Sequence, residues 1–268
     1  MLVPVQIRSG TLFLYMYLKQ LEIKMRVPWR PNFPPVLCHI SWQSEDGGLA
    51  DHTKYFPAKK RGDVAAASAV CFDLTQEDTM NEIFDICVDN EKRPPIIATP
   101  AMNALESKNV LAIGYAKFLG SEMGWEVASH IFQSKSVKRD FETNSWFRLV
   151  HQPEFYGFVE KGRRYIVVDD VCTMGGTLAS LRGYIEQNGG DVICMSTIAC
   201  KNGKTFDIAI SERTLYGLSI KEDGAFALTI EKELGYDIKC LTEAEGRFLL
   251  RCPSSERLRK GINGVVNW

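Results

Sequence analysis

The sequence has no C-x-x-C pair and no histidine cluster, although it holds eight cysteines and four histidines. That absence argues against a zinc site of the common kinds. His39, His52, His130 and His151 share no spacing that suggests a metal site or a catalytic triad, and no role is assigned to them. The cysteines (Cys38, Cys71, Cys87, Cys172, Cys194, Cys200, Cys240, Cys252) are scattered, and several sit in apolar runs such as Val192-Ile193-Cys194-Met195. They read as reduced thiols acting as small hydrophobes, which suits a cytoplasmic protein. An excess of one charge is lacking too: 32 Lys and Arg against 33 Asp and Glu leave a net charge of −1, so nothing in the overall charge points to nucleic acid. A long apolar run is missing as well. The best candidate, Thr11-Leu12-Phe13-Leu14-Tyr15-Met16-Tyr17-Leu18, falls far short of the roughly 20 residues a membrane helix needs. Lys19-Gln20-Leu21-Glu22 follows it, where a signal peptide would place small residues. The run reads as an edge strand or a packed N-terminal segment, and no membrane association is expected. There is no internal repeat and no low-complexity tract.

What remains is the composition of an ordinary globular protein, with 45% hydrophobic and 24% charged residues in a 268-residue chain. That length accommodates one large domain or a core with additions. Residues 1 to about 60 carry Pro28, Pro31, Pro34, Pro35 and the pair Gly47-Gly48, which interrupt any long period. A helix is predicted from Val64, rich in alanine and capped by Asp63. A second is predicted with a cap at Thr75 and Asp78 and an apolar face of Met80, Ile83, Phe84 and Cys87. After Pro94-Pro95, Ile96-Ile97-Ala98 reads as a short buried strand, followed by a helix through Val110, Leu111, Ile113, Ala116 and Leu119 that ends near Gly120 or Gly124. Trp125 to Phe132 reads as the next strand, which would complete a βαβ unit.

Gln133 to Gly162 lacks clear periodicity and is expected to form a mobile lid. Tyr165-Ile166-Val167-Val168 then reads as a buried strand, followed by the loop Asp169 to Thr177 and a helix through Leu178, Leu181, Tyr184 and Ile185 that stops at Gly189-Gly190. Asp191 to Ala199 is the following strand. Such alternation predicts an α/β fold with a parallel sheet and helices on both faces. Beyond 206, Phe206 to Ile210 and Ala225 to Ile230 look strand-like. Two helices follow, one opened by the capping box Thr242-Glu243-Ala244-Glu245 and one starting at Ser254 or Ser255. The expected division is an N-terminal extension, partly helical, over 1–92, a core over 93–205 and a C-terminal cap or hood over 206–268.

The chemistry concentrates in the loop. A strand that ends in Asp169 and Asp170 and passes through a glycine-containing turn into a helix offers carboxylates and backbone N–H groups at the carboxyl edge of a parallel sheet, where ligands bind. The amides of Thr173 to Thr177 and the positive end of the helix dipole suit a phosphate monoester. Gly175 and Gly176 permit close approach, and the hydroxyls of Thr173 and Thr177 add donors. A ribose would present two hydroxyls to the acids. That reading leans on an acidic pair offered to sugar hydroxyls and an amide-lined turn offered to a phosphate; carboxylates buried in ion pairs, or a turn closed by packing with no room for an anion, would overturn it.

This run of apolar strand, paired acids, Val171, Cys172, Thr173, Met174 and Gly175-Gly176-Thr177 resembles the ribose-5-phosphate signature of the type I phosphoribosyltransferases, most of all their adenine and orotate branches. The resemblance implies a Rossmann-like parallel sheet and 5-phosphoribosyl-1-diphosphate (PRPP) as ligand, with Asp169 and Asp170 on the ribose hydroxyls and residues 173–177 around the 5′-phosphate. Met174 stands where the family usually has Thr or Ser. The family's diphosphate loop falls on Thr99-Pro100-Ala101-Met102-Asn103-Ala104, with Ala101, Met102 and Asn103 as binding residues; Asn103 replaces a basic residue and Ala104 a glycine. Lys135, Lys138 and Arg139 are candidates for lid cations in catalysis, or else form a solvated basic turn, and Glu142 is a candidate proton carrier for the base. Tyr216, Phe226 and Tyr236 are candidates for stacking on a nucleobase-like acceptor. The implied reaction transfers ribose 5-phosphate to that acceptor and releases diphosphate, with Mg²⁺ bound through the diphosphate of PRPP; a homodimer is implied in the same way. The alternatives are a non-catalytic PRPP-sensing regulator or accessory protein, and a Rossmann-like domain for another phosphorylated ligand.

Overall fold

The computed structural model describes residues 26–43, 47–89, 91–101, 109–134, 144–201, 203 and 205–266. The segment Thr11 to Leu18 and the candidates Met102, Asn103, Ala104, Lys135, Lys138, Arg139 and Glu142 lie outside these residues. Among the described residues a five-stranded sheet has the order β2 (Ile96–Ala98), β5 (Arg164–Cys172), β6 (Asp191–Cys200), β1 (Val36–Ser41), β7 (Thr205–Phe206). All neighbours are parallel except β7, which pairs antiparallel with β1. The fold is α/β with a mostly parallel sheet, as the alternation of elements predicts.

Alternation along each strand explains the two cores. Val36, Cys38, Ile96, Ala98, Tyr165, Val167, Val192 and Met195 face one apolar layer, and Leu37, Ile97, Ile166, Val168, Cys194 and Ile198 face the other. Strands covered on both faces read as continuous hydrophobic runs, and these do. The first layer is covered by α6 (Gly176–Gln187) through Leu178, Leu181 and Ile185. The second is covered by α2 (Val64–Leu74), α3 (Glu77–Cys87) and α4 (Leu111–Met123), with α1 (Tyr55–Lys60) beside them. A third core joins α5 (Ser145–Val150) to the C-terminal helices α7 (Glu212–Ile220), α8 (Ala225–Leu234), α9 (Glu243–Leu250) and α10 (Ser255–Val266).

Several expectations change. Val36–Ser41, inside the stretch read as an extension, is a strand of the main sheet, paired parallel with β6. Trp125 to Phe132 is not one strand: Val127 makes a single parallel bridge to Ile97, and only β3 (Ile131–Gln133) is a strand, paired antiparallel with β4 (Phe155–Gly157) in a separate two-stranded sheet. The expected lid is therefore partly built, from β3, α5 and β4. Thr75 does not cap α3; its hydroxyl donates to the Cys71 carbonyl (2.7 Å) and closes α2 instead. Ala225 to Ile230 is helix, because Phe226, Thr229 and Ile230 go inside together, the spacing of one helical face, while Leu228 stays 68% exposed. The Asp63 cap, the end of α4 at left-handed Gly124 and the capping box of α9 form as expected. All eight cysteines are buried, and no disulfide joins them. No described helix is long and apolar enough to cross a membrane.

Candidate functional site

The strand β5 carries the acidic pair, though it runs on past them to Cys172. Asp169 is half-buried and Asp170 buried. The Asp170 amide donates to Asp169 Oδ1 (2.8 Å) and the Val171 amide to Asp170 Oδ1 (2.9 Å). The other Asp170 oxygen accepts from the Lys59 ammonium and from Asn109 Nδ2 (3.4 Å). Burial would push the Asp170 carboxyl up, but the charge and hydrogen bond of Lys59 hold it below the usual carboxylate range. Burial, and then the charge of Asp170, push Asp169 up to about 8. Near neutral pH the pair therefore holds one proton, on Asp169. Burial would lower the Lys59 ammonium, yet Asp170 raises it, so the cation is retained. Burial also pushes the nearby Tyr55 phenol up to about 12, against the pull of Lys59.

The turn after β5 needs its glycines. Gly175 has φ +76°, which L side chains rarely adopt, and a Cβ there would lie 3.1 Å from Ile208 Cδ1. At Gly176 a Cβ would lie 2.6 Å from Gln152 Oε1 and 2.9 Å from Arg26 Nη2. The protein side of the turn is pinned through carbonyls. Thr242 Oγ1 donates to Met174 O (2.5 Å) and Arg26 Nη2 to Gly176 O (3.3 Å). Arg26 and Glu245 form a fully buried ion pair (2.5 Å), and Glu245 also accepts from the Thr242 amide (3.0 Å), so the α9 capping box and the turn share one network. A trans peptide sets its N–H opposite its C=O, so the Thr177 amide points away from Arg26. Burial pushes the Cys172 thiol well up, and a hydrogen bond from the Gly175 amide offsets a small part of that. On the loop itself, Arg148 of α5 donates to Thr173 Oγ1 (3.2 Å), and burial lowers its pKa.

No family model matches the chain. It is 34% identical over 242 residues to Protein TraN of Escherichia coli, a match that covers 90% of this chain and 52% of TraN. It is 35% identical over 72 residues to HGPRTase-like protein 2 of Haloferax volcanii, covering 26% of this chain and 40% of that protein. The chain thus spans about half, or less, of the length of these curated relatives. A crystal structure of adenine phosphoribosyltransferase from Thermoanaerobacter pseudethanolicus aligns at 16% identity and a TM-score of 0.29, covering 50% of this chain and 67% of that one. The fold itself is α/β with a mostly parallel five-stranded sheet.

Within this α/β fold the residues 169–177 lie together at the carboxyl end of β5 and the start of α6, while Ala101, the one described residue of the second loop's candidates, bonds through its carbonyl to the Gln133 amide (2.9 Å). Of the stacking candidates, Phe226 is fully buried and Tyr236 nearly so, both in the third core, which leaves only Tyr216 open to solvent. A cleft of about 190 Å³ lined by Phe33, Pro35, Asp207, Ile208 and Arg247 includes none of the residues 169–177. Two cations were missed. Lys59 lies 111 residues from Asp170, and its only signal is the basic end of a short helix. Arg148 sits in a stretch without period, and nothing in the sequence ties it to Thr173.

Proposed function

We propose that this chain binds the ribose 5-phosphate part of PRPP on the turn 173–177 and the carboxyl of Asp169, and transfers it to a nucleobase-like acceptor with release of diphosphate. The observation that carries the reading is the junction of β5 and α6. A half-buried carboxyl, a left-handed glycine, a glycine too crowded for any side chain and the start of a helix meet there, with the Arg148 guanidinium beside them. A phosphate on this turn would be met by the helix end and Arg148. The protonated Asp169 can give a hydrogen bond to a sugar oxygen or accept one from a hydroxyl. Mg²⁺ would enter with the diphosphate, as part of the substrate. The chain's own donors do not compose a resident site, because Asp170 is taken by Lys59 and no described group of three His, Cys, Asp or Glu is gathered. When bound with the ligand, the ion would neutralise the leaving diphosphate.

The Lys59 to Asp170 ion pair bears against the simplest form of this reading, in which both acids lie open to the sugar. It favours a second reading, a PRPP-sensing protein without transfer, in which the acid pair orders the site rather than reacting. Titration calorimetry with PRPP and Mg²⁺, followed by incubation with a panel of bases, separates the two. Binding with diphosphate release on one base supports the transferase; binding with release on none supports the sensor; absence of binding overturns both. The double variant Asp169→Asn, Asp170→Asn is expected to abolish binding while the chain stays folded, and unchanged affinity in it would refute the ribose assignment.

A further inference from the structure

The cleft of about 190 Å³ lies apart from residues 169–177 and carries charges of its own. Its floor is fixed from the α9 side: the Ile208 carbonyl accepts from the Glu243 amide (3.0 Å), and Ala209 makes an antiparallel bridge to Thr242. Glu243 is buried and accepts three hydrogen bonds, from the Ser211 amide (2.8 Å), Thr214 Oγ1 (2.8 Å) and Arg247 Nε (2.7 Å). Burial would raise this carboxyl, but those bonds hold it below the usual carboxylate range. Arg247 is thus gripped at Nε by a fixed anion. Its two terminal nitrogens meet no partner among the described residues, and 63% of its side chain is exposed. Asp207 lines the same cleft and enters no ion pair with a described residue.

We infer that this cleft binds a free α-amino acid, with the carboxylate on the Arg247 fork and the ammonium toward Asp207. A guanidinium held at Nε keeps its other edge free, and that edge matches a carboxylate with two parallel hydrogen bonds. Because Glu243 already holds it in place, little side-chain freedom is lost when a ligand arrives. Charge sets the class of ligand. Asp207 and Glu243 against Arg247 leave the lining net negative, so a dianion such as a phosphate monoester is repelled, whereas a zwitterion meets one open group of each sign. Phe33, Pro35 and Ile208 give an apolar wall for a short side chain. The volume agrees, being well below the roughly 300–1,000 Å³ of sites for drug-sized ligands.

The experiment is calorimetry on the full chain with L-alanine, L-valine and L-leucine, then with the N-acetyl and amide forms of whichever binds tightest. At least one free amino acid should bind saturably, with a dissociation constant of about 1 mM or tighter. Its N-acetyl form lacks the ammonium and its amide lacks the carboxylate, so each should bind roughly tenfold more weakly or worse. Arg247→Gln and Asp207→Asn should each weaken the free amino acid by a similar factor of about ten, with circular dichroism unchanged. Absence of saturable binding by all three amino acids overturns the inference. So does equal affinity for the blocked forms, a comparison made on the unaltered protein and therefore independent of how any variant folds. Unchanged affinity in a folded Arg247→Gln protein overturns it as well. None of these outcomes bears on the phosphoribosyl reading, because the cleft includes none of the residues 169–177.

Discussion

At the residue scale the acidic pair is divided by one cation. Asp170 is held ionised by Lys59, and Asp169 takes the proton because burial and the neighbouring charge both oppose its ionisation. The raised value of Asp169, from an ordinary 3.8 to about 8, means that the folded chain holds a proton which the unfolded chain has released across that interval. This group's contribution is therefore complete below the unfolded value and is lost as pH rises toward 8. Asp170 acts in the opposite sense: its contribution is present above the ordinary value and is lost as pH falls through its lowered one. We expect Asp169→Asn to flatten the fall of Tm between about pH 5 and pH 8 and to raise Tm at the upper end by a few degrees, since 1 kcal/mol moves Tm by roughly 2–4 °C at this size. Thermal melts of both proteins across that range check it, and parallel curves would show that Asp169 does not carry the proton.

The turn glycines make a second case at this scale. Gly175→Ala forces a side chain into a left-handed position, at a cost of about 1–2 kcal/mol. Gly176→Ala meets the Gln152 amide and the Arg26 guanidinium, and Arg26 is fixed in its ion pair, so a cost of about 1–3 kcal/mol is expected. Urea unfolding measures both, and a Gly176→Ala protein as stable as the wild type would mean that this packing is loose.

At the scale of elements, the start of α6 and the start of α9 are one construction. Thr242 caps α9, accepts from the Glu245 amide and donates to the Met174 carbonyl, while Glu245 pairs with Arg26, which reaches the Gly176 carbonyl. Thr242→Val removes a cap and a tie on the turn, and should cost about 1–2 kcal/mol of stability. Glu245→Gln should cost more, about 3–5 kcal/mol, because it leaves the buried Arg26 without its counter-charge. Denaturant melts of the two variants test the order; equal costs would show that the ion pair adds nothing to the cap. Much of this region could be read in advance, for reasons that are local. The box Thr242 to Glu245, the Asp63 cap and the glycine at 124 act within one turn of their own helices. The link of that box to the turn was not readable, because Met174 and Thr242 stand 68 residues apart. Ala225 to Ile230 fits two patterns: Phe226, Leu228 and Ile230 satisfy a strand's alternation while Phe226, Thr229 and Ile230 satisfy a helix, and packing chose the second.

At the scale of the whole molecule, two apolar cores of the described residues cover the two faces of the sheet, and a third, formed by α5 and α7 to α10, is tied to the turn through Thr242 at the start of α9. Phe226 is fully buried in that third core, so Phe226→Ala should cost about 3–5 kcal/mol. If the third core and the sheet unfold as one unit, circular dichroism and tryptophan fluorescence will report the same midpoint in this variant; two midpoints would show that the C-terminal helices melt by themselves.

The amino-acid sequence alone determined the strands at Ile96–Ala98, Arg164–Cys172 and Asp191–Cys200 with the helices that follow the first two, the caps at Asp63 and Thr242, and the meeting of paired acids with a glycine turn and a helix, because each depends on neighbours within a few residues. Only the tertiary structure decided that Val36–Ser41 lies in the main sheet, that Arg26 and Glu245 pin the turn, and that Lys59 pairs with Asp170 while Arg148 donates to Thr173. Those contacts join residues far apart in the chain, and their strength comes from removal of charge and apolar surface from water, which no local pattern of residues records.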